Sequence, residues 1–244
     1  MTGRSLQRPC EDPGTPLGSG LERAQMQATV LSEIAASPPR PLVAVDVGCG
    51  DGTATAVAAT RCGQTSGANV TIIGPDWSCA ALGRARRRGV PVVRAVMDGS
   101  GLPLASGSVD VIMMSELIEH LVDTDAALTR AGRVPVPDGS LLLSGPGLAA
   151  WYDRVPLAPG IQPLFTEVGL RGICGRPGRE AIGHLRIFTR SAPEELPACA
   201  GPVEIDITGT PHHDVPRPFR PLDRLLCRTP GLWSIPPASA RWPT

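Results

Sequence analysis

Short β-rich apolar runs alternate with helix-compatible stretches along most of the chain. Leu42, Val43, Val45 and Val47 form the first run, and the small-residue stretch TATAVAAT follows from Thr53. Val70, Ile72 and Ile73 make a second run, PVVRAV at 91–96 a third, Val109-Asp110-Val111-Ile112 a fourth and Ser140 to Ser144 a fifth. The alternation Val203, Ile205, Ile207 predicts a sixth strand. Residues 80–89 (AALGRARRRG) read as a basic helix end and 122–133 as a further helix. Upstream, Met26, Val30, Leu31 and Ile34 share one helical face, with Ser19 and Glu22 as a capping box and Pro38-Pro39 as the stop. Strands alternating with helices predict an α/β domain with a mostly parallel sheet.

The first run ends in Asp46, and Gly48, Gly50 and Gly52 then alternate with Cys49 and Asp51. Strand, glycine turn, helix is an arrangement that binds the polar part of a nucleotide-like cofactor. Glycine lets the backbone turn tightly and lets a ligand approach where a Cβ would stand in the way. The spacing is G-x-G-x-G with a carboxylate two residues ahead, not the G-x-G-x-x-G of dinucleotide turns. It resembles the first motif of class I S-adenosylmethionine-dependent methyltransferases. The same residues without a ligand would be a tight strand–helix turn, and the downstream motifs weigh against that.

The resemblance extends over about residues 21–210. It implies a Rossmann-like class I methyltransferase fold, a mostly parallel seven-stranded sheet flanked by helices, with S-adenosyl-L-methionine as cofactor. Gly48, Cys49, Gly50, Asp51 and Gly52 would border its methionine end, and Asp46 would help neutralise or orient the ammonium. Asp76, at the end of the second strand, would hold the ribose; its other reading is a helix N-cap. Trp77 beside it would lie against the adenine edge or pack on the sheet. Asp98, followed by Gly99 and the Leu102-Pro103 pair, would accept from the adenine amino group; its other reading is a turn-forming Asp. Ser115 and Glu116 fall at the end of the fourth strand, the edge where open parallel sheets bind ligands.

Candidate catalytic residues are Glu119, His120 and His184, of which one would remove a proton from the acceptor. Glu119 and His120 also fit the start of an amphipathic helix, and a lone histidine such as His184 fits a structural role. Residues 145–190 exceed what the basic fold needs and read as an insertion or lid. It carries Trp151, Tyr152, Phe165 and Arg186, the candidate acceptor-binding residues, and a Gly-His-Leu-Arg signature like that of a bacterial and archaeal branch of small-molecule methyltransferases. No metal is expected: His212-His213-Asp214 lacks supporting ligand spacing, because adjacent histidine side chains diverge.

Composition narrows the classes. Formal net charge is zero, with 23 basic and 23 acidic residues, which argues against a broad nucleic-acid or anionic-membrane footprint. Lysine is absent, so Schiff-base and P-loop lysine chemistry are excluded. The seven cysteines form no C-x-x-C pair and read as reduced thiols of a cytoplasmic protein. The first residues hold no apolar core of a secretory signal, and no apolar run is long enough to span a bilayer. The expected organisation is a disordered arm over residues 1–18 and a single domain over 19–244. Pro135 and Pro137 fall in the turn before the fifth strand. Pro197 would interrupt the last helix (Ser191 to Cys199, with Ser191 and Glu194 as its capping box), and Pro236-Pro237 stand where the last strand is expected, degrading the last hairpin.

The implied function is methyl transfer to an O, N or C nucleophile of a small-molecule acceptor. A second reading is a degenerate cofactor-binding module acting as partner or regulator. A nicotinamide dehydrogenase is disfavoured by the glycine spacing.

Overall fold

Seven strands line up in the order β3-β2-β1-β4-β5-β7-β6. The structure, a computed structural model, describes residues 17–36, 41–148, 154–155, 157–163, 184–189, 192, 204–207, 217–226 and 238–241. The strands are β1 (Leu42–Asp46), β2 (Val70–Asp76), β3 (Val92–Arg94), β4 (Val109–Ser115), β5 (Pro135–Ser144), β6 (Glu204–Ile207) and β7 (Ala238–Arg241). The helices that flank the first five are α1 (Leu17–Ala36), α2 (Thr53–Ser66), α3 (Cys79–Arg87) and α4 (Thr124–Gly132). β1 to β5 pair in parallel, and β7 runs antiparallel to both β5 and β6.

Strand order reverses between β1 and β4. From β1 the chain moves outward through β2 and β3, then returns to β4 on the other side and continues to β5. At such a switch point the flanking crossovers diverge and leave a crevice above the carboxyl ends of the two strands. Register continues across it: Ala44 lies opposite Val111 and Asp46 opposite Met113. Toward the amino end of β1, Asp110 Oδ2 accepts from the Val43 backbone N–H at 2.8 Å.

Period-two alternation divides the sheet's side chains between two cores. Leu42, Ala44, Ile72, Val111, Met113 and Leu142 face α1 and α2, packing on Leu31, Ala35, Ala58 and Cys62. Val45, Val47, Ile112, Met114, Leu141 and Leu143 face the other way, against Ala127, Leu128 and Ala131 of α4. Burying one such leucine stabilises by about 1.5–3 kcal/mol before entropy is counted. A smaller cluster of Leu82, Ala85, Val90 and Cys49 seats α3 beneath the glycine turn.

Several expectations need correction. α1 starts at Leu17, so Ser19 lies inside the helix and Leu17 and Gly18 do not belong to a disordered arm; residues 1–16 lie outside the described residues. The buried face of α1 is Ala24, Gln27, Ala28, Leu31, Ser32 and Ala35. Val30 and Ile34 only border it, because small residues let the helix approach closely. Of the segment expected as a turn at 134–139, residues 135–139 belong to β5. A register irregularity between Val109 and Val111 absorbs them, with Asp138 at positive φ. The last hairpin is not degraded: β7 begins just after Pro236-Pro237 and pairs Leu141 with Ala240 and Ile205 with Ala240. The prolines thus precede β7 in the sequence and do not interrupt it. Arg217–Phe219 and Arg220–Leu226 are helical, which the sequence pattern did not predict. Of the expected last helix only Ala192 is described.

Gly52 adopts φ +75°, and a Cβ there would stand 2.7 Å from Ala85 Cβ and 2.9 Å from Ala85 Cα. Gly50 is also left-handed, but a Cβ there would meet nothing within 4 Å. Gly50→Ala is therefore expected to cost only the conformational term, about 1–2 kcal/mol. Gly52→Ala should add an overpacking term, for a total of about 2–5 kcal/mol. Urea titration of the two variants measures the difference; equal losses would contradict the close approach of α3.

Candidate cofactor and acceptor site

The turn after β1 is held from three sides. Val47 N–H donates to Met113 O at 2.9 Å, extending the ladder with β4. Gly48 N–H donates to Pro75 O at 2.8 Å, tying the turn to β2. Gly50 N–H donates to Asp76 Oδ2 at 2.9 Å, and Ser78 N–H donates to Asp76 Oδ1 at 2.8 Å. Asp76 thus joins the turn to the start of α3, where the Ser78 side chain accepts from Ala81 N–H as the N-cap. Asp76 is 8% exposed. Each carboxylate oxygen carries a further lone pair, so both can accept again.

Asp46 is buried at the end of β1. Its Oδ2 accepts from the Thr55 hydroxyl at 2.5 Å, which fixes the first turn of α2 under the loop. The sequence reading did not name Thr55; its signal is a hydroxyl in the first helical turn after a carboxylate-ended strand. Asp51 accepts from Thr53 N–H and pairs with Arg88, whose guanidinium also donates to Asp51 O. Partial burial opposes ionisation of Asp51, but the Thr53 hydrogen bonds and the Arg88 and Arg84 charges prevail, and its pKa is lowered. Arg88 is therefore a clasp on the turn, although the basic run reads as a solvated face. The pair is half-exposed and contributes at most about 1 kcal/mol.

Cys49 was expected to border the cofactor. Its side chain joins the buried cluster under the turn; a Cβ on Gly74 would meet its Sγ at 2.6 Å. Only its backbone remains to face a ligand. Trp77 is half-buried, and its carbonyl accepts from Arg94 Nε at 3.4 Å.

Asp98 accepts from Val122 N–H at 3.1 Å and Asp123 N–H at 3.4 Å. It ties the loop after β3 to the loop after β4. Arg130 donates to Met97 O, and Arg133 donates to Leu102 O and Leu104 O, so α4 clamps the Leu-Pro loop that holds Asp98. Gly99 is exposed and donates to Val96 O in a tight turn. At the end of β4, Glu116 has φ +52°, rare for a residue with a side chain. Its N–H donates to Ser144 O and its Oε1 accepts from the Ser144 hydroxyl at 3.1 Å. Backbone strain of this kind costs about 1–3 kcal/mol and concentrates at functional sites. Ser115 Oγ accepts from Gln27 Nε2 at 2.5 Å.

Beyond β4 the chain makes a 3-10 turn, Ile118–His120, not the start of a long helix; α4 begins later, capped by Asp123. The turn sets Glu119 at 0% exposure and leaves His120 half-buried. His184 arrives from far along the chain, its side chain 6% exposed, with Nε2 3.9 Å from Glu119 Oε1. The two imidazoles meet edge to face with centroids 4.8 Å apart. One donor atom from each of the three lies within 4.8 Å of the others. Ligand atoms around one tetrahedral ion sit roughly 3.4 Å apart, so the spacing suits proton handling better than a closed metal site.

Residues 184–188 are stitched down along this cluster. Leu185 N–H donates to Glu119 O, and Arg186 donates to Leu121 O and to Val122 O. Phe188 exchanges backbone hydrogen bonds with Pro146 and Leu148. Arg186 is thus a tether between the strap and the loop after β4, its guanidinium engaged by carbonyls. Trp151, Tyr152 and Phe165, like His212, His213 and Asp214, lie outside the described residues. Among the described residues, no helix is long and apolar enough to cross a membrane.

Burial, together with the Asp46 and Asp76 charges, pushes the Cys49 thiol up to about 12. It stays protonated at neutral pH, and the thiolate is the reactive form. Iodoacetamide at pH 8 should therefore modify the exposed Cys79 and leave Cys49 intact in the native protein. Peptide mass spectrometry would report both sites, and comparable labelling would contradict the burial.

Comparison with known proteins agrees with this architecture. Residues 45–143 match the family model described as a methyltransferase domain. An O-methyltransferase of Pyrenophora dematioidea is 30% identical over 184 residues, covering 66% of each chain. Trans-aconitate 2-methyltransferase of Methylobacterium radiotolerans is 28% identical, covering 79% of this chain and 68% of its own. The chain spans 39–66% of the length of the first curated relatives it matches. Among solved structures, an S-adenosylmethionine-dependent methyltransferase from Archaeoglobus fulgidus superposes with a TM-score of 0.56 at 13% identity, covering 90% of this chain and 94% of that one; at that identity the likeness is one of fold. With the matched domain lying across the glycine turn, Asp76 and Asp98, the chain belongs to the class I S-adenosylmethionine-dependent methyltransferase family.

Proposed function

We propose that the protein is an S-adenosylmethionine-dependent methyltransferase acting on an O, N or C nucleophile of a small-molecule acceptor in the cytoplasm. The observation that carries this reading is the Asp76 carboxylate, buried and bonded to Gly50 N–H and Ser78 N–H, with further lone pairs beside the glycine turn. The fit to the cofactor is chemical. Left-handed Gly48 and Gly50 bring bare backbone to the crevice, and Asp46 and Asp76 surround the turn with negative charge suited to a cationic ligand. Asp76 would hold the ribose hydroxyls, Asp98 the adenine amino group, and the turn the methionine end. Relatives named for an O-methyltransferase, trans-aconitate methylation and demethylmenaquinone methylation support small acceptors without choosing among them.

When bound, the cofactor supplies a methyl group already activated on sulfonium. The chain then has to align an acceptor with it and, for a protic acceptor, remove one proton. His120, half-buried beside the fully buried Glu119, is the candidate base. Glu119, fully buried with Oε1 3.9 Å from His184 Nε2, would act by positioning His184. The strap at 184–188 would wall the acceptor side, with Trp151, Tyr152 and Phe165 from the same insertion. A degenerate cofactor-binding partner or regulator would gain support from a broken last strand; the paired β7 removes that support.

Two measurements test the reading. Calorimetry should give binding of S-adenosylmethionine that Asp76→Asn weakens by about 10-fold or more, as expected for a lost charge-assisted hydrogen bond. Transfer of labelled methyl to a panel of small carboxylic acids, phenols and quinols should identify an acceptor. His120→Asn should lower kcat by about 10²–10⁴-fold and leave cofactor affinity intact. Absence of cofactor binding would refute the proposal.

A further inference from the structure

Gln27 lies on α1, one helical turn before Leu31, and is 2% exposed. It is a long amide on a face otherwise built from Ala24, Ala28, Leu31, Ser32 and Ala35. Its Nε2 donates to Ser115 Oγ at 2.5 Å, a contact between residues 88 apart in sequence. Its Oε1 is buried and has no hydrogen-bond partner among the described residues. Buried amide oxygens are nearly always satisfied, because burial removes the water that would otherwise bond them. An orphan at a strand end therefore asks what donor arrives there.

The location answers by register. Asp46 lies opposite Met113, so two residues further on, Gly48 and Ser115 stand at the same level across the switch point. Gln27 reaches Ser115 from the α1 side of the sheet. Its free oxygen thus lies at the edge where the glycine turn opens, by the end of the crevice assigned above to the methionine part of the cofactor. The strong donor that part carries is its α-ammonium. The Ser115 hydroxyl, having accepted from Nε2, keeps its own proton to donate.

We propose that Gln27 Oε1 accepts a hydrogen bond from the α-ammonium of the cofactor's amino-acid end, which makes α1 part of the cofactor site. The inference rests on the methyltransferase reading and adds a residue outside the matched domain. A structural glutamine would serve the fold whether or not ligand is present. A ligand-reading glutamine serves only ligands that carry the amino-acid end.

Calorimetry with S-adenosylhomocysteine and with 5′-methylthioadenosine separates the two, since the latter keeps the adenosine and sulfur and lacks the amino acid. Gln27→Leu should weaken S-adenosylhomocysteine about 10- to 100-fold, the range for a hydrogen bond to a charged group, and leave 5′-methylthioadenosine within about twofold. Gln27→Glu, which keeps an acceptor oxygen, should retain S-adenosylhomocysteine binding. Gln27→Leu also gives up the Nε2–Ser115 bond, so its unliganded thermal midpoint is expected at or slightly below that of the parent, and the contrast between the two ligands is the deciding readout. Equal weakening of both ligands or no weakening of either would overturn the assignment while sparing the methyltransferase reading. A parent protein that binds neither ligand would overturn both.

Discussion

The bond between the Asp76 carboxylate and the Gly50 amide is the constraint on which the cofactor edge depends. One carboxylate joins the loop after β1 to the loop after β2, and through Ser78 it also sets the start of α3. The backbone link between the two ends stops at the Gly48 and Cys49 amides on Pro75 O, after which each chain leaves for its crossover helix. Beyond that point the carboxylate is the bridge between the two loops. With it, the turn presents bare backbone toward the crevice in a fixed conformation, and the same oxygens retain capacity to accept from a ligand. Gly52 and Ala85 complete the arrangement from below, where only the lack of a Cβ lets α3 pack so closely.

The side proposed to receive the acceptor is built differently. There the strap at 184–188 is stitched to the loop after β4 by Arg186 and Leu185, and to the loop after β5 through Phe188. These bonds bring His184 onto Glu119 and beside His120. Three ionisable groups are thereby concentrated at one strand end, mostly withdrawn from water, where electrostatic coupling is stronger than at a surface. The Asp98 carboxylate and the guanidiniums of Arg130 and Arg133 order the loops between the two sides, so both share one framework.

Legibility in the sequence followed the range of each interaction. The strand positions, the glycine spacing and the acids after the strands depend on a few contiguous residues. They were readable because period-two alternation and turn chemistry are local properties. The face of α1 was misjudged because periodicity rewards large apolar residues. Half of the packed face is alanine, with Leu31, Ser32 and one buried glutamine. The last hairpin was misjudged because prolines next to a strand look like prolines within it, and only pairing partners fix where the ladder begins.

By itself the sequence determined the alternating α/β pattern and the cofactor-type turn, since both are written in neighbouring residues. Tertiary structure alone decided that Cys49 turns into the core, that Arg88 clasps Asp51, that Arg186 tethers the strap and that Gln27 meets Ser115. Each of these joins segments whose separation in the chain carries no signal of contact. The physical reason is that the sheet order, with its reversal at β1 and β4, is fixed by the burial of two whole faces together. Only once that order exists do distant polar groups find the partners that the loss of water makes necessary.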